Sequence, residues 1–221
     1  MPETLIEGFL KFRNETYKGD DALMPQLVEQ GQSPNYFIIS CIDSRANPGT
    51  IFKAAPGTFF AHKAMGAIVR PYKKGTALAA ALQFAINYNN VKDIIVLGHT
   101  GCGAIKALID NIEDEEISEF VNVARLGLER AEKFTADDAH HDDLHRHAEE
   151  QIVLQSIENL KTYPSIWDAL TKEKIRVRGW LFDMSHADIL EYSEEKAAFV
   201  SLTPHSHSTH KAACSCGGKH A

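Results

Sequence analysis

The sequence predicts an α/β fold: a mostly parallel central β-sheet flanked by helices, with an N-terminal helical arm. Three observations predict it. Two short runs, Tyr36-Phe37-Ile38-Ile39-Ser40-Cys41-Ile42 and Ile94-Ile95-Val96-Leu97, are apolar on both faces, as strands covered on both sides must be. Helical stretches alternate with them, which implies crossover connections. Each run also leads directly into a segment rich in chemistry-bearing residues, and open α/β sheets place their sites at the carboxyl ends of strands.

Taken in order, residues 3–30 read as helical, with Leu5, Phe9, Leu10 and Phe12 before Gly19-Asp20-Asp21, then Leu23, Met24, Leu27 and Val28. Gln32-Ser33-Pro34 punctuates the chain ahead of the first strand. A second strand is expected at Thr58-Phe59-Phe60-Ala61-His62, and an Ala/Leu-rich helix from Gly75 to Tyr88. The strand at Ile94–Leu97 runs through Gly98-His99-Thr100-Gly101-Cys102-Gly103 into a helix from Ala104. Residues 113–160 are acidic and largely helical, interrupted near Thr135 to His147 by a patch of Asp and His. Ile175 to Phe182 alternates polar and apolar residues and suits an edge or antiparallel strand, with a helix expected from Glu191 to Phe199. These elements make one domain over residues 1–203, its first 30 residues an arm. The Ser/His/Cys/Gly-rich stretch 204–221 is expected to be a flexible tail.

The chain has 221 residues, enough for a substantial core. Its 23 basic and 30 acidic side chains give a net charge of −7, which argues against a general nucleic-acid binder. No apolar stretch approaches the ~20 residues that span a bilayer, so no membrane partner is expected. The N-terminus shows no basic region followed by an apolar run. A cytoplasmic setting follows as the expectation, and there the four cysteines at 41, 102, 214 and 216 serve metal binding or catalysis better than disulfides.

Cys41, Asp43 and Arg45 alternate, so a strand continued through them would put all three side chains on one face. His99 and Cys102 stand three apart where a strand turns into a helix, and both can reach one point. Two thiolates and an imidazole are a three-ligand zinc set that leaves a fourth position open, and sulfur ligands favour zinc over magnesium, calcium or manganese. Either motif alone also fits a buried cysteine or a chance spacing. A closed structural zinc would want a fourth Cys or His, and the nearest spare cysteines lie in the tail.

Together, Cys41-Ile42-Asp43-Ser44-Arg45 and His99-Thr100-Gly101-Cys102-Gly103 strongly resemble the two signature motifs of the β-carbonic anhydrases. The resemblance runs over roughly residues 30–200 and takes in Gln32-Ser33-Pro34, Pro56-Gly57 and Gly179-Trp180-Leu181-Phe182-Asp183. It implies the fold of that family, one Zn2+ per chain, and reversible hydration of CO2 to bicarbonate and a proton. Hydroxide at the metal would be the nucleophile, oriented by the Asp43–Arg45 dyad. Two thiolates cancel the formal charge of the ion, so activity should rise on the alkaline side of neutrality. An Asp43 paired with Arg45 is a poor base and serves as a hydrogen-bond acceptor; a second state implied by the family has Asp43 close the fourth metal position.

The resemblance also assigns Gln32 and the Gly103 N–H to an oxygen of the substrate, and Phe60, Met65 and Phe84 to an apolar CO2 pocket. It implies a homodimer or homotetramer with sites at the subunit boundary. Ile38 stands where some members carry a Trp of an inhibitory bicarbonate site, which favours the open form. Where the family usually reads Arg-Asn-x-x-Asn, this chain has Lys63-Ala64-Met65-Gly66-Ala67. That departure keeps open a substrate related to CO2, carbonyl sulfide or carbon disulfide, or a non-catalytic zinc- or bicarbonate-binding module. His62 is a proton-transfer candidate by proximity to the second strand alone. His140, His141, His145 and His147 read as a solvated face, and His205, His207, His210, Cys214, Cys216 and His220 as a tail with some capacity to capture metal.

Overall fold

The computed structural model describes residues 2–19, 21–135 and 141–203, with the backbone alone at 141 and 142. The chain runs α1 (Glu3–Thr16), α2 (Leu23–Gln30), β1 (Tyr36–Ser40), α3 (Pro48–Ile51), β2 (Phe59–Lys63), α4 (Ala77–Asn87) and β3 (Asp93–His99). It continues through α5 (Gly103–Ile109), α6 (Glu115–Val121), α7 (Arg125–Phe134), α8 (His141–Leu160) and α9 (Pro164–Thr171) to β4 (Arg176–Asp183), β5 (Asp188–Ser193) and β6 (Ala198–Ser201). Among the described residues the strands form one six-stranded sheet in the order β2-β1-β3-β4-β5-β6. The first four are mutually parallel, and β5 and β6 extend the sheet antiparallel.

Period-two alternation divides the strands between two apolar layers. Phe37, Ile39, Ile94 and Val96 face one side, where Leu82 of α4, Val153 and Leu160 of α8 and Ile166 of α9 pack on them. Ile38, Ile95 and Leu97 face the other, under Phe52, Phe59, Trp180 and Phe182, which are only partly buried. A third cluster lies beyond the strand ends and joins Cys41 and Cys102 to Ile105, Leu108, Leu128 and Ile152. At Gly98 the helix lies almost on the strand: a Cβ there would sit 2.6 Å from Val153 Cγ2 and 3.1 Å from Leu181 Cδ1. Only glycine lets α8 approach β3 one residue before His99.

The arm is helical as expected and breaks at Gly19, whose φ of +93° suits glycine, into two helices. Two expectations need correction. The strand after residue 175 is interior, parallel to β3 and antiparallel to β5; its alternating arginines are used sideways, Arg176 and Arg178 both pairing with Asp93 of β3. The segment Glu191 to Phe199 is a β-hairpin: Tyr192 opposes and packs on Phe199, and Glu191 pairs with Arg178 at 2.6 Å. Those cross-strand contacts outweigh the helix-forming Glu-Glu-Lys-Ala-Ala in its turn. The tail 204–221 and its cysteines and histidines lie outside the described residues, as do His140 and the side chain of His141.

Candidate metal centre

β1 and β3 run side by side; β1 ends at Ser40 opposite Leu97 and β3 runs on to His99, so Cys41 leaves its strand beside the end of β3. Cys41 follows β1 and is buried. Its Sγ accepts backbone N–H groups from Asp43 at 3.4 Å and Gly66 at 3.3 Å. Gly66 can point its amide there because its φ is +61°, within a tight turn over Met65–Ala67. His99 closes β3 and is also buried; Gly101, at φ +65°, turns the chain so that Cys102 stands at the N-cap of α5.

The sequence expectation that Cys41, Asp43 and Arg45 share a face of a continued strand does not hold. The strand stops at Ser40, and Asp43 instead caps a 3-10 turn over Ser44–Ala46, its Oδ1 accepting Arg45 N–H at 2.8 Å. Short carboxylates favour such caps over extended backbone. The same turn brings the Arg45 guanidinium round onto the carboxylate, Nε to Oδ1 at 3.1 Å and a second nitrogen to Oδ2 at 2.7 Å. These hydrogen bonds hold the Asp43 carboxyl well below the usual carboxylate range, although burial works slightly against them.

The donor atoms of Cys41, His99 and Cys102 all lie within 4.8 Å of one another, with the two sulfurs 4.0 Å apart. Sharing a proton across that contact pulls the Cys41 thiol down, against its burial, and pushes the Cys102 thiol up. His99 Nδ1 is 3.0 Å from the Thr100 carbonyl oxygen, so it carries the ring hydrogen, and Nε2 is buried with no hydrogen-bond partner. An orphaned imidazole nitrogen facing two cysteine sulfurs fits a metal. Two sulfurs at the usual ~2.3 Å from a tetrahedral zinc stand about 3.8 Å apart, close to the spacing here.

The other residues singled out from the sequence separate in space. Gly103 opens α5, and a Cβ built on it would meet no heavy atom within 4 Å, so it faces open space beside Cys102. Gln32 is exposed in the segment between α2 and β1. Met65 packs on the cluster that contains Cys41 and Cys102. Phe60 belongs to the layer around Phe37 and Leu82, with its ring 6.0 Å from Phe84, which stacks in turn on Tyr88. Phe84 and Tyr88 are exposed and form an aromatic ledge. Ile38 is buried in the thinner apolar layer. His62 is half-buried on β2, and burial lowers its pKa.

Glu149 of α8 escaped the sequence reading, and His145 and His147, expected on a solvated face, are instead partly buried with partners inside the protein. Glu149 is 2% exposed, and its Oε1 accepts the Cys102 N–H at 2.9 Å. It therefore supplies the cap that the N-terminus of α5 otherwise lacks. Burial pushes its carboxyl up to about 7. His145, one turn earlier, lies 3.2 Å from the Cys102 carbonyl and 3.3 Å from Glu149. It backs the metal-ligand turn, whereas His147 contacts Thr135 at 3.0 Å. The i,i+4 spacing of His145 and Glu149 was a visible signal, but nothing local tied it to a residue 47 positions away.

Comparison with known proteins agrees with this geometry. The family model described as carbonic anhydrase matches residues 36–189. A carbonic anhydrase of Synechocystis sp. is 30% identical over 202 residues, which take in 90% of this chain and 73% of that one. A carbonic anhydrase of Pseudomonas aeruginosa is 28% identical over 207 residues, 91% of this chain and 92% of that one. Among solved structures, the β-carbonic anhydrase CcaA matches with a TM-score of 0.79 at 28% identity, over 90% of this chain and 98% of that chain.

Proposed function

The chain belongs to the β-carbonic anhydrase family, and from that premise we propose that it is a zinc-dependent carbonate dehydratase, converting CO2 and water to bicarbonate and a proton with Asp43 and Arg45 orienting the nucleophile. The observation that carries the reading is the buried, unpartnered His99 Nε2 facing two cysteine sulfurs beside an Asp–Arg pair. Cys41, His99 and Cys102 are the residues that would hold one Zn2+. Zinc bound there supplies a Lewis acid that makes water nucleophilic near neutral pH.

The remaining work falls to the chain's own residues. Asp43, kept ionised by Arg45, accepts a hydrogen bond from the attacking water and so points its lone pair at the carbon of CO2. In the structure its carboxylate is turned to Arg45. The Gly103 N–H and the Gln32 amide donate to the substrate oxygen where negative charge grows. Met65 gives the CO2 pocket an apolar wall beside the ligands.

Phe60 stands in the apolar layer around Phe37 and Leu82, with the exposed Phe84 and Tyr88 beside it, and we assign these aromatic rings to the pocket of a second copy across a subunit boundary. Helix α1 supports a homodimer or homotetramer. Leu5, Ile6 and Phe9 are exposed on it, and none of its residues is buried within the single chain. Residues 1–203 form the one catalytic domain in this reading. No helix among the described residues is long and apolar enough to cross a membrane. A cytoplasmic setting would keep both thiols reduced.

Stopped-flow CO2 hydration by wild type, Asp43→Ala and Arg45→Ala at matched zinc content tests the assignment. The expected result is a catalysed rate in wild type that drops about a hundredfold in Asp43→Ala, on the scale that lost orientation costs. Equal rates in all three would contradict it. Headspace loss of carbonyl sulfide under the same conditions separates hydrolysis of that analogue from CO2 hydration.

A further inference from the structure

Lys63 is the first residue of the segment that departs from the family pattern. It ends β2 directly opposite Ser40, its register partner on β1. Its side chain is half-buried beneath the segment that carries Cys41, Asp43 and Arg45. Nζ lies 3.2 Å from Ser40 Oγ and 3.5 Å from the Ala46 carbonyl oxygen. Both acceptors belong to residues with 0% exposure, and they stand at the two ends of the segment: Ser40 precedes Cys41 and Ala46 follows Arg45. The Ala64 N–H bonds the Ser40 carbonyl at 3.0 Å and keeps the lysine backbone against the same point.

The Asp43–Arg45 pair is internally rigid, with three hydrogen bonds between its own members. Those bonds do not hold it against the rest of the protein. Arg45 is exposed, and the tie from the pair to the metal ligands is the 3.4 Å contact of Asp43 N–H with Cys41 Sγ. What sets the place of the pair is therefore the anchoring of the segment's ends. An ammonium suits that task, since its three donors can serve two acceptors lying in different directions.

We propose that Lys63 is a positioning residue: by bridging Ser40 and Ala46 it holds the 40–46 segment so that the Asp43–Arg45 pair stands beside Cys41. The consequence for turnover rests on the hydration reading; the bridge itself does not. Lys63 thus makes an internal tie where the family pattern carries an arginine.

The test uses zinc-loaded full-length chain labelled with 15N-arginine, read by the Arg45 Nε–H signal and by CO2 hydration. Wild type and Lys63→Arg should share one Arg45 Nε–H chemical shift, and Lys63→Met should move it, because the pair then changes its place beside Cys41 with its own bonds intact. At unchanged zinc content, kcat should fall about tenfold in Lys63→Met, with KM moved by less than twofold, and recover in Lys63→Arg. Ser40→Ala removes one acceptor with the lysine in place, and serves if Lys63→Met does not fold. It should move both readouts in the same direction, and its effect should vanish in the Lys63→Met background. A Lys63→Met chain that keeps the wild-type Arg45 shift and a kcat within twofold overturns the proposal. So does one that loses its zinc, because the lysine would then serve the metal ligands. A wild-type chain that hydrates no CO2 while Lys63→Met still moves the Arg45 shift would refute the hydration reading and leave the bridge standing.

Discussion

Replacing Glu149 with leucine should weaken zinc binding without unfolding the protein. Glu149 is almost wholly buried and gives the Cys102 N–H its acceptor at 2.9 Å. Leucine fills a similar volume and removes the acceptor, so the amide of a ligand residue is left without a partner inside the protein. A hydrogen bond to a charged group contributes about 1.5–3 kcal/mol. At about 1.4 kcal/mol per tenfold, full transmission of that loss to the His99–Cys102 turn weakens zinc by about tenfold to a hundredfold. Partners that orient ligands commonly act on that scale. Glu149→Gln keeps an amide oxygen in the same place and should lose less than about fivefold on the same reasoning. The assay is competition for zinc against a chromophoric chelator at pH 8, above the value of about 7 for Glu149, so that the carboxylate is ionised. Folding is checked by circular dichroism. A folded Glu149→Leu chain that binds zinc within twofold of wild type would refute the reasoning.

Other consequences follow from the sheet and the ligands. Cys41→Ala leaves one thiol and one imidazole, so metal analysis after dialysis should fall from one zinc per chain to almost none. Asp93 is buried between Arg176 and Arg178, and their hydrogen bonds lower its pKa against the desolvation that opposes them. Because the folded value lies below the unfolded ~3.9, its contribution is present above that pH and fades as pH falls through the folded value. Urea melts should therefore show Asp93→Asn less stable by about 1–2 kcal/mol at pH 7, a figure reduced because Arg176 is exposed, with the gap narrowing at pH 3. A gap that stays constant with pH would count against the ion pairs. Gly98→Ala places a methyl 2.6 Å from Val153, and overpacking of that kind costs about 1–3 kcal/mol. The loss should shrink in a Val153→Ala background, and an additive loss would mean that α8 does not rest on Gly98.

The parts of this molecule legible in the sequence are those whose chemistry is local. Tyr36–Ser40 and Ile94–Leu97 announce buried parallel strands by being apolar at every face, and Cys41, His99 and Cys102 announce ligands because they stand where such strands end. Asp43 and Arg45 were readable as a pair but not in their conformation, since the cap on Arg45 N–H ends the strand that spacing would extend. Glu191 to Phe199, inside the hairpin of β5 and β6, looks helical in sequence because the contacts that make it a hairpin, Glu191 to Arg178 and Tyr192 to Phe199, lie across strands. Glu149 and Lys63 carry no motif. Their roles arise from α8 crossing behind Cys102 and from β2 lying beside β1, which only the folded chain reveals.

The central claim is a zinc centre that hydrates CO2, and a zinc titration of the metal-free chain tests it most directly. The catalysed rate of CO2 hydration, followed by stopped flow at alkaline pH, should rise in proportion to added zinc and break at one equivalent per chain. Cys41→Ala should show no rise at the same additions. A rate that is absent at full zinc occupancy, or that does not depend on zinc, would contradict the account.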